Sequence, residues 1–185
     1  MDKVLCAALA LFCILAVNGE VQVQSNFNIN QFLGKWYIIG MASDARWFTT
    51  RKEKFQMSTI LMKPAENDTV ETILTKQKCG ECYQIIFPYK KTEQEGRFKF
   101  HSDRWNNDQE VYVTRTNYDE YAVVHSILTK GSEITTLVKL YGRGQELRQA
   151  IVERFRQYCL EQGLEKENIL TFAKQEECRP KSAQN

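Results

Sequence analysis

The stretch Asn26–Trp47, NFNINQFLGKWYIIGMASDARW, decides how the rest of the chain is read. Asn26, Phe27 and Phe32 stand at turn-like or helical spacing, and Gly34-Lys35-Trp36-Tyr37 then opens an apolar strand, Trp36–Met41. A glycine two residues before a tryptophan lets the backbone bend sharply while the indole swings beneath the strand. Alone, such a triplet occurs in many unrelated proteins, so its weight comes from what surrounds it.

Before it, Met1–Gly19 reads as a secretory signal peptide. Lys3 supplies the charged start, Val4–Val17 the apolar run, and Val17-Asn18-Gly19 the small-residue end. The run is too short and wrongly flanked for a membrane anchor, and no later stretch approaches a spanning length. Residues 20–185 are then long enough for one domain with a sizeable core. With 25 Lys and Arg against 23 Asp and Glu, the net charge of +2 argues against a nucleic-acid partner. The basic cluster Arg51-Lys52-Glu53-Lys54 reads as a solvated loop.

Of six cysteines, Cys6 and Cys13 would leave with the signal peptide. Cys79, Cys82, Cys159 and Cys178 remain in a compartment that permits disulfides, with three full pairings open. Cys79-Gly80-Glu81-Cys82 lacks a second C-x-x-C, a histidine at zinc spacing or an adjacent helix start, so no metal or cofactor is expected. Asn67-Asp68-Thr69 is an N-glycosylation acceptor in a polar turn.

After Trp47 the pattern is one of short strands. Phe55, Met57, Thr59 and Leu61 alternate, and Thr69–Lys76, Cys82–Tyr89, Arg97–Ser102, Glu110–Arg115, Tyr121–Leu128 and Ile134–Gly142 follow, with turn signals between. About eight such strands argue an antiparallel sandwich or barrel. One segment departs: from Gln145 to Gln162, Leu147, Ile151, Phe155 and Tyr158 form a helical stripe that Gly163 stops. The strand before it is apolar on both faces, Leu137 and Tyr141 on one, Val138 and Leu140 on the other. Such a strand is covered outside as well as inside, and the helix is the natural cover. Ile169, Leu170 and Phe172 predict a last short strand.

Eight strands and one helix in a chain of this length resemble a lipocalin. Three matches carry the resemblance: Gly34-Lys35-Trp36-Tyr37, Thr116-Asn117-Tyr118-Asp119-Glu120-Tyr121, and Arg143 closing Leu140-Tyr141-Gly142-Arg143. The family's second motif more often has Asp where Asn117 stands. The resemblance implies an all-β, eight-stranded antiparallel up-and-down barrel with one C-terminal helix packed outside. Gly34, Trp36 and Arg143 would meet at its closed end, where a guanidinium can stack on an indole and still donate to strand-end carbonyls.

Within the family the chain resembles the prostaglandin D synthase branch with its non-enzymatic choroid-plexus relatives, through Phe32-Leu33-Gly34, Gly40-Met41-Ala42-Ser43, Trp47 and Phe155–Gly163. It also resembles α1-microglobulin over Thr116–Ala122 and Lys139–Arg143. Both relatives imply a disulfide between Cys82 and Cys178. That leaves Cys79 and Cys159 as inert thiols or a second bridge.

The synthase resemblance places Ser58 where the enzyme carries its thiol. A serine needs a general base to become nucleophilic, and neither His101 nor His125 is pointed at it by spacing. Ser58 therefore reads as a polar lining residue, and glutathione-dependent isomerase activity is the lesser alternative. Two residues of the α1-microglobulin pattern are replaced, by Ala45 and Ser102, whereas Lys139 matches.

What the resemblance implies is a secreted, monomeric carrier of a small lipophilic molecule such as a retinoid or fatty acid. A cell-surface receptor is left open as a further partner. Trp47, Lys52, Trp105 and Tyr141 match mouth or lumen positions, and Phe100 matches an aromatic pocket position. Phe98 is assigned to packing, on the expectation that only one of Phe98 and Phe100 faces in. Aromatic walls with Lys52 or Lys139 suit an apolar molecule with an anionic end.

Overall fold

The structure, a computed structural model, describes residues 20–78 and 80–179. The signal-peptide reading of residues 1–19, with Cys6 and Cys13, and the reading of Cys79 lie outside the described residues.

The chain enters at the closed end. Asn26 takes a left-handed backbone (φ 55°), and a single helical turn, α1 (Ile29–Phe32), follows. The Asn28 side chain caps it by accepting from the amides of Asn30 and Gln31. Gly34, at φ +95°, turns the chain into β1 (Gly34–Ser43). A Cβ there would strain that backbone and press on the Arg143 guanidinium at 3.4 Å. The strand is longer at both ends than the predicted Trp36–Met41.

A short helix, α2 (Arg46–Thr49), and a 3-10 turn at Lys52–Lys54 lead to β2 (Ser58–Ala65). The meander continues as β3 (Thr69–Lys78), β4 (Glu81–Lys91), β5 (Arg97–Ser102), β6 (Asn107–Thr116), β7 (Tyr121–Lys130) and β8 (Glu133–Gly142). Each strand pairs antiparallel with the next, and β1 pairs with both β8 and β2, closing an eight-stranded barrel. Closure leaves these eight strands without a free edge.

The ladder is uneven. β3 and β4 share ten register pairs from Thr69↔Lys90 to Lys78↔Glu81, whereas β4 and β5 share only Lys90↔Lys99 and Lys91↔Phe98. Beyond those two pairs aromatic rings bridge the seam. Phe100 meets Phe87 at 5.6 Å and Tyr89 at 5.5 Å, both edge-on.

Alternation distributes the apolar residues between two cores. The inner one holds Trp36, Ile38, Ile60, Met62, Phe98, Leu137 and Tyr141; the outer one joins Ile39, Val138 and Leu140 to α3 (Gln149–Glu161) through Ile151, Val152, Phe155 and Cys159. The two-faced reading of β8 is what the structure has, and it is why the helix docks there. The predicted Gln145–Gln162 helix starts late. Arg148 is extended (ψ 139°), no side chain caps it, and its guanidinium is held by Glu120 at 2.6 and 2.7 Å, so helical backbone begins at Gln149. The alternation expected for Phe55, Met57, Thr59 and Leu61 is also corrected. Ile60 and Met62 face the lumen, Met57 packs in the outer core, and β2 begins only at Ser58.

After α3, Gly163 (φ +78°) ends the helix and β9 (Ile169–Thr171) pairs with Gly40–Ala42 outside the barrel. The tail returns to β4 through the Cys82–Cys178 disulfide, which spans 96 positions. A cross-link over a loop that long is worth about 4–5 kcal/mol in the chain-entropy account. Cys159 is buried and free, and burial pushes its thiol up to about 12, consistent with an inert packing residue.

Candidate ligand-binding site

Trp36, Arg143 and α1 shut one end of the barrel. The guanidinium carbon lies 3.6 Å from the indole centroid. Nε donates to Tyr118 O (2.8 Å), one terminal nitrogen to Lys35 O (2.8 Å), and the other to Gln31 O (2.8 Å) and Leu33 O (3.0 Å). The indole Nε1 donates to Phe32 O at 2.8 Å. Asn117 does the work of the commoner Asp, its Oδ1 accepting from the amides of Glu120 and Tyr121 at 3.0 Å each. Gly34, Trp36 and Arg143 therefore meet as the resemblance implied, and their polar groups are used up in closing the floor.

Above this floor lies a cavity with about 570 Å³ of empty space, counted with the solvent at its open side. Ile29 and Phe32 rise from α1, and Met62, Val70, Phe98 and Val113 form much of the apolar wall. Phe87 and Tyr89 continue it. The polar interruptions are Thr72, Ser126, Tyr141 and Lys139.

Lys139 has no hydrogen-bond or ion-pair partner among the described residues, and no carboxylate lines the cavity with it. Desolvation, with the charge of Lys76 as a second cause, pushes its ammonium down to about 8, still mostly protonated at neutral pH. Burial holds the Tyr89 and Tyr141 phenols well above their ordinary value, so both stay neutral donors. Tyr141 also packs on Trp36 at 6.3 Å between ring centroids, which puts it deep in the barrel and away from the mouth.

The remaining predicted residues fall in three places. Trp105, 38% exposed, stacks at 6.0 Å on the cavity-lining Phe87, and Phe100 meets the same ring, so these two stand one ring from the cavity on its open side. Trp47, 42% exposed, packs in the β1–β2 connection against Phe48 and Phe55 and is not among the residues lining this cavity. Ser58 stands at the start of β2 opposite Ile38, half-buried, and is not among the cavity-lining residues.

Two readings are corrected. Lys52 does not face the lumen: its ammonium donates to Glu167 O (3.0 Å) and Asn168 Oδ1 (3.3 Å), tying the β1–β2 connection to the chain after α3. Phe98 is not set apart from Phe100, because residues two apart on a strand share a face. Both point inward, and Phe98, 6% exposed, is the one that lines the cavity.

Sequence reasoning missed Lys76. Val70, Thr72 and Leu74 line the cavity, and Lys76 is the next inward position of β3 towards the open end, with its Nζ 5.2 Å from the Tyr83 ring centroid. Alternation through Thr69–Lys76 was the available signal.

The chain belongs to the Lipocalin / cytosolic fatty-acid binding protein family, which matches residues 33–176. A protein named Lipocalin from Rhinella marina is 38% identical, over 95% of this chain and 96% of its own length. Protein AMBP from Bos taurus is 34% identical over 95% of this chain, which spans 50% of that longer protein. Prostaglandin-H2 D-isomerase from Ursus arctos is 29% identical, over 92% of this chain and 91% of its own. Among solved structures, the siderocalin Ex-FABP, described as functioning through dual ligand specificities, superposes with a TM-score of 0.68 at 25% identity, covering 79% of this chain and 96% of that one. Family and barrel together support the binding of a small lipophilic molecule inside the barrel.

Proposed function

We propose that this chain is a secreted, monomeric carrier that holds one lipophilic molecule with an acidic end, a retinoid or fatty-acid-like ligand, inside the barrel. The observation that carries the reading is Lys139, an unpaired ammonium on an otherwise mostly apolar wall. Keeping a desolvated cation without a counter-ion costs stability, and a ligand carboxylate relieves that cost on binding. The neutral phenols of Tyr89 and Tyr141 add donors from the same cavity. Secretion is supported by the Cys82–Cys178 disulfide, a bond suited to an oxidising compartment, and the exposed turn residue Asn67 is a site for glycan attachment.

The alternative, a glutathione-dependent isomerase, is favoured by the likeness to the Ursus arctos enzyme and opposed by the chemistry at Ser58. His101 Nδ1 is engaged by Asp108 at 2.8 Å on the rim, and His125 Nδ1 by the Tyr158 hydroxyl at 3.0 Å under α3. Neither imidazole is a base for Ser58.

Calorimetric titration with a saturated fatty acid and the alcohol of equal length tests the carrier reading. The acid binds one per chain and more tightly, and Lys139→Met weakens it by roughly ten- to a hundredfold, the loss of about 1–3 kcal/mol of charge-assisted contact, while sparing the alcohol. Equal losses for both ligands would remove Lys139 as counter-ion. Prostaglandin endoperoxide turnover that Ser58→Ala abolishes would establish the isomerase instead.

A further inference from the structure

Lys139 is not the only inward cation. β3 carries Val70, Thr72 and Leu74 into the cavity, and the same face presents Lys76 one step nearer the mouth. Its register partner on β4 is Tyr83, over whose ring the ammonium sits. This face of β4 continues through Phe87 and Tyr89, both cavity-lining. Lys76 has no ion-pair partner among the described residues; Tyr83 lies under its ammonium, and Tyr89 and Tyr141 line the cavity with Lys139. No carboxylate lies among them. The two lysines feel each other's charge, which is part of why Lys139 gives up its proton more readily.

We propose that Lys76 and Lys139 together form a head-group site above an apolar well, and that the ligand is an amphiphile whose single alkyl or polyene tail points to the closed end and whose head carries two negative charges, as a phosphate monoester does. The inference rests on the carrier reading and sharpens it. One carboxylate neutralises one ammonium and leaves the other unmatched. A phosphate monoester, with a second pKa near ~6, approaches two charges above neutral pH and offers oxygens to both lysines. Ile29 and Phe32 at the floor bound the tail.

Dodecyl phosphate, laurate and dodecanol, titrated at pH 7.5 below their micellar concentrations, separate the two claims. The phosphate is expected to bind at least fivefold more tightly than laurate, and laurate more tightly than dodecanol. Lys76→Met should bring the phosphate-to-laurate ratio to about one, and Lys76→Gln should do the same without adding apolar surface. An unchanged ratio in both variants, or no preference for phosphate in the native protein, overturns the paired site. Laurate binding no better than dodecanol would overturn the carrier reading beneath it. A ligand-free check follows Lys139 by NMR, where its amine titrates at higher pH once Lys76 is replaced. If that titration does not move, the two lysines do not share a site and the proposal fails.

Discussion

The two cation-bearing regions of the barrel are built on opposite principles. At the closed end Arg143 lies on Trp36 and donates to four carbonyl oxygens, of Gln31, Leu33, Lys35 and Tyr118. In the cavity Lys139 faces apolar side chains and donates to none. The two are four residues apart, Lys139 in β8 and Arg143 just past its end. A planar, forked guanidinium can satisfy several acceptors at once and suits a permanent plug, whereas a single ammonium on a flexible stem suits a partner that comes and goes. Where polar groups are all paired, substitution should cost stability and spare binding; where one is left over, the reverse should hold.

The largest effect is expected at the plug. Arg143→Ala removes the stacked cation and strands four carbonyls beside the Trp36 indole, so unfolding should become easier by about 3 kcal/mol. Arg143→Lys should recover only part of this, since an ammonium cannot reach all four acceptors. Denaturant unfolding measures the loss, and fatty-acid affinity in the folded variant should stay within about twofold. A large affinity loss would mean that the floor and the cavity are one unit.

A polar group between these extremes is His125, on the outer face of β7 beneath α3, with the Tyr158 hydroxyl as its side-chain partner among the described residues. Desolvation pushes its imidazolium down to about 4, so the folded state keeps it neutral. Because the unfolded chain takes up the proton near pH 6.5 and the folded one only near 4, the stability it confers is full above pH 6.5. It is lost as pH falls towards 4, by up to about 3 kcal/mol. Glu110, held down to about 2 by the Tyr112 hydroxyl and by Arg97, loses its contribution lower, between about 4.5 and 2. The difference in unfolding free energy between the native protein and His125→Leu should therefore slope between pH 6.5 and 4 and flatten above. A difference that is flat throughout would mean the imidazole is solvated.

The contrast between plug and cavity also separates what could be read in advance from what could not. Gly34, Trp36 and Arg143 were legible through the family motifs they carry, although Arg143 reaches acceptors at Gln31, Leu33 and Lys35 that are 108 to 112 positions away in sequence. The outer docking of α3 was legible in the two apolar faces of Ile134–Gly142. Boundaries were less so: Gln145–Arg148 has helical spacing, but the Arg148–Glu120 pair draws it off the helix axis. Inside the barrel, which face of a strand looks inward depends on where its ladder begins. β2 begins only at Ser58 and turns Ile60 and Met62 inward, so Phe55 and Met57 do not continue its alternation. Lys52 was taken as a pocket residue through the resemblance, and its actual partners, Glu167 and Asn168, more than a hundred positions away in the sequence, left no local sign of the tie. Lys76 went unread although the alternation of Val70, Thr72 and Leu74 points it inward, because a lysine near a strand end reads by default as solvent-facing.

The smallest expected effect has the opposite sign to the first and tests the comparison most directly. Lys139→Met replaces an unpaired cation by an apolar side chain of similar length on a wall already lined by Val113, Val124 and Tyr141. Folding takes the Lys139 ammonium from an ordinary lysine environment to one where it titrates near 8, so the charged form is disfavoured in the folded state. Below pH 8 both states are charged and the native protein bears the full cost. As pH rises from 8 towards 10.5 the folded state sheds its proton first and the cost disappears. Because the cavity still admits solvent, the cost is discounted to about 1–2 kcal/mol. Lys139→Met should thus unfold at higher denaturant concentration than the native protein at pH 7, and the gain should shrink as pH passes from 8 to 10.5. Adding a saturating fatty acid should reduce or reverse the gain, because only the native protein is then stabilised through its counter-ion. A variant that is less stable than the native protein at pH 7 would show that Lys139 is already satisfied in the empty barrel, and the distinction between the spent cation and the waiting one would fall.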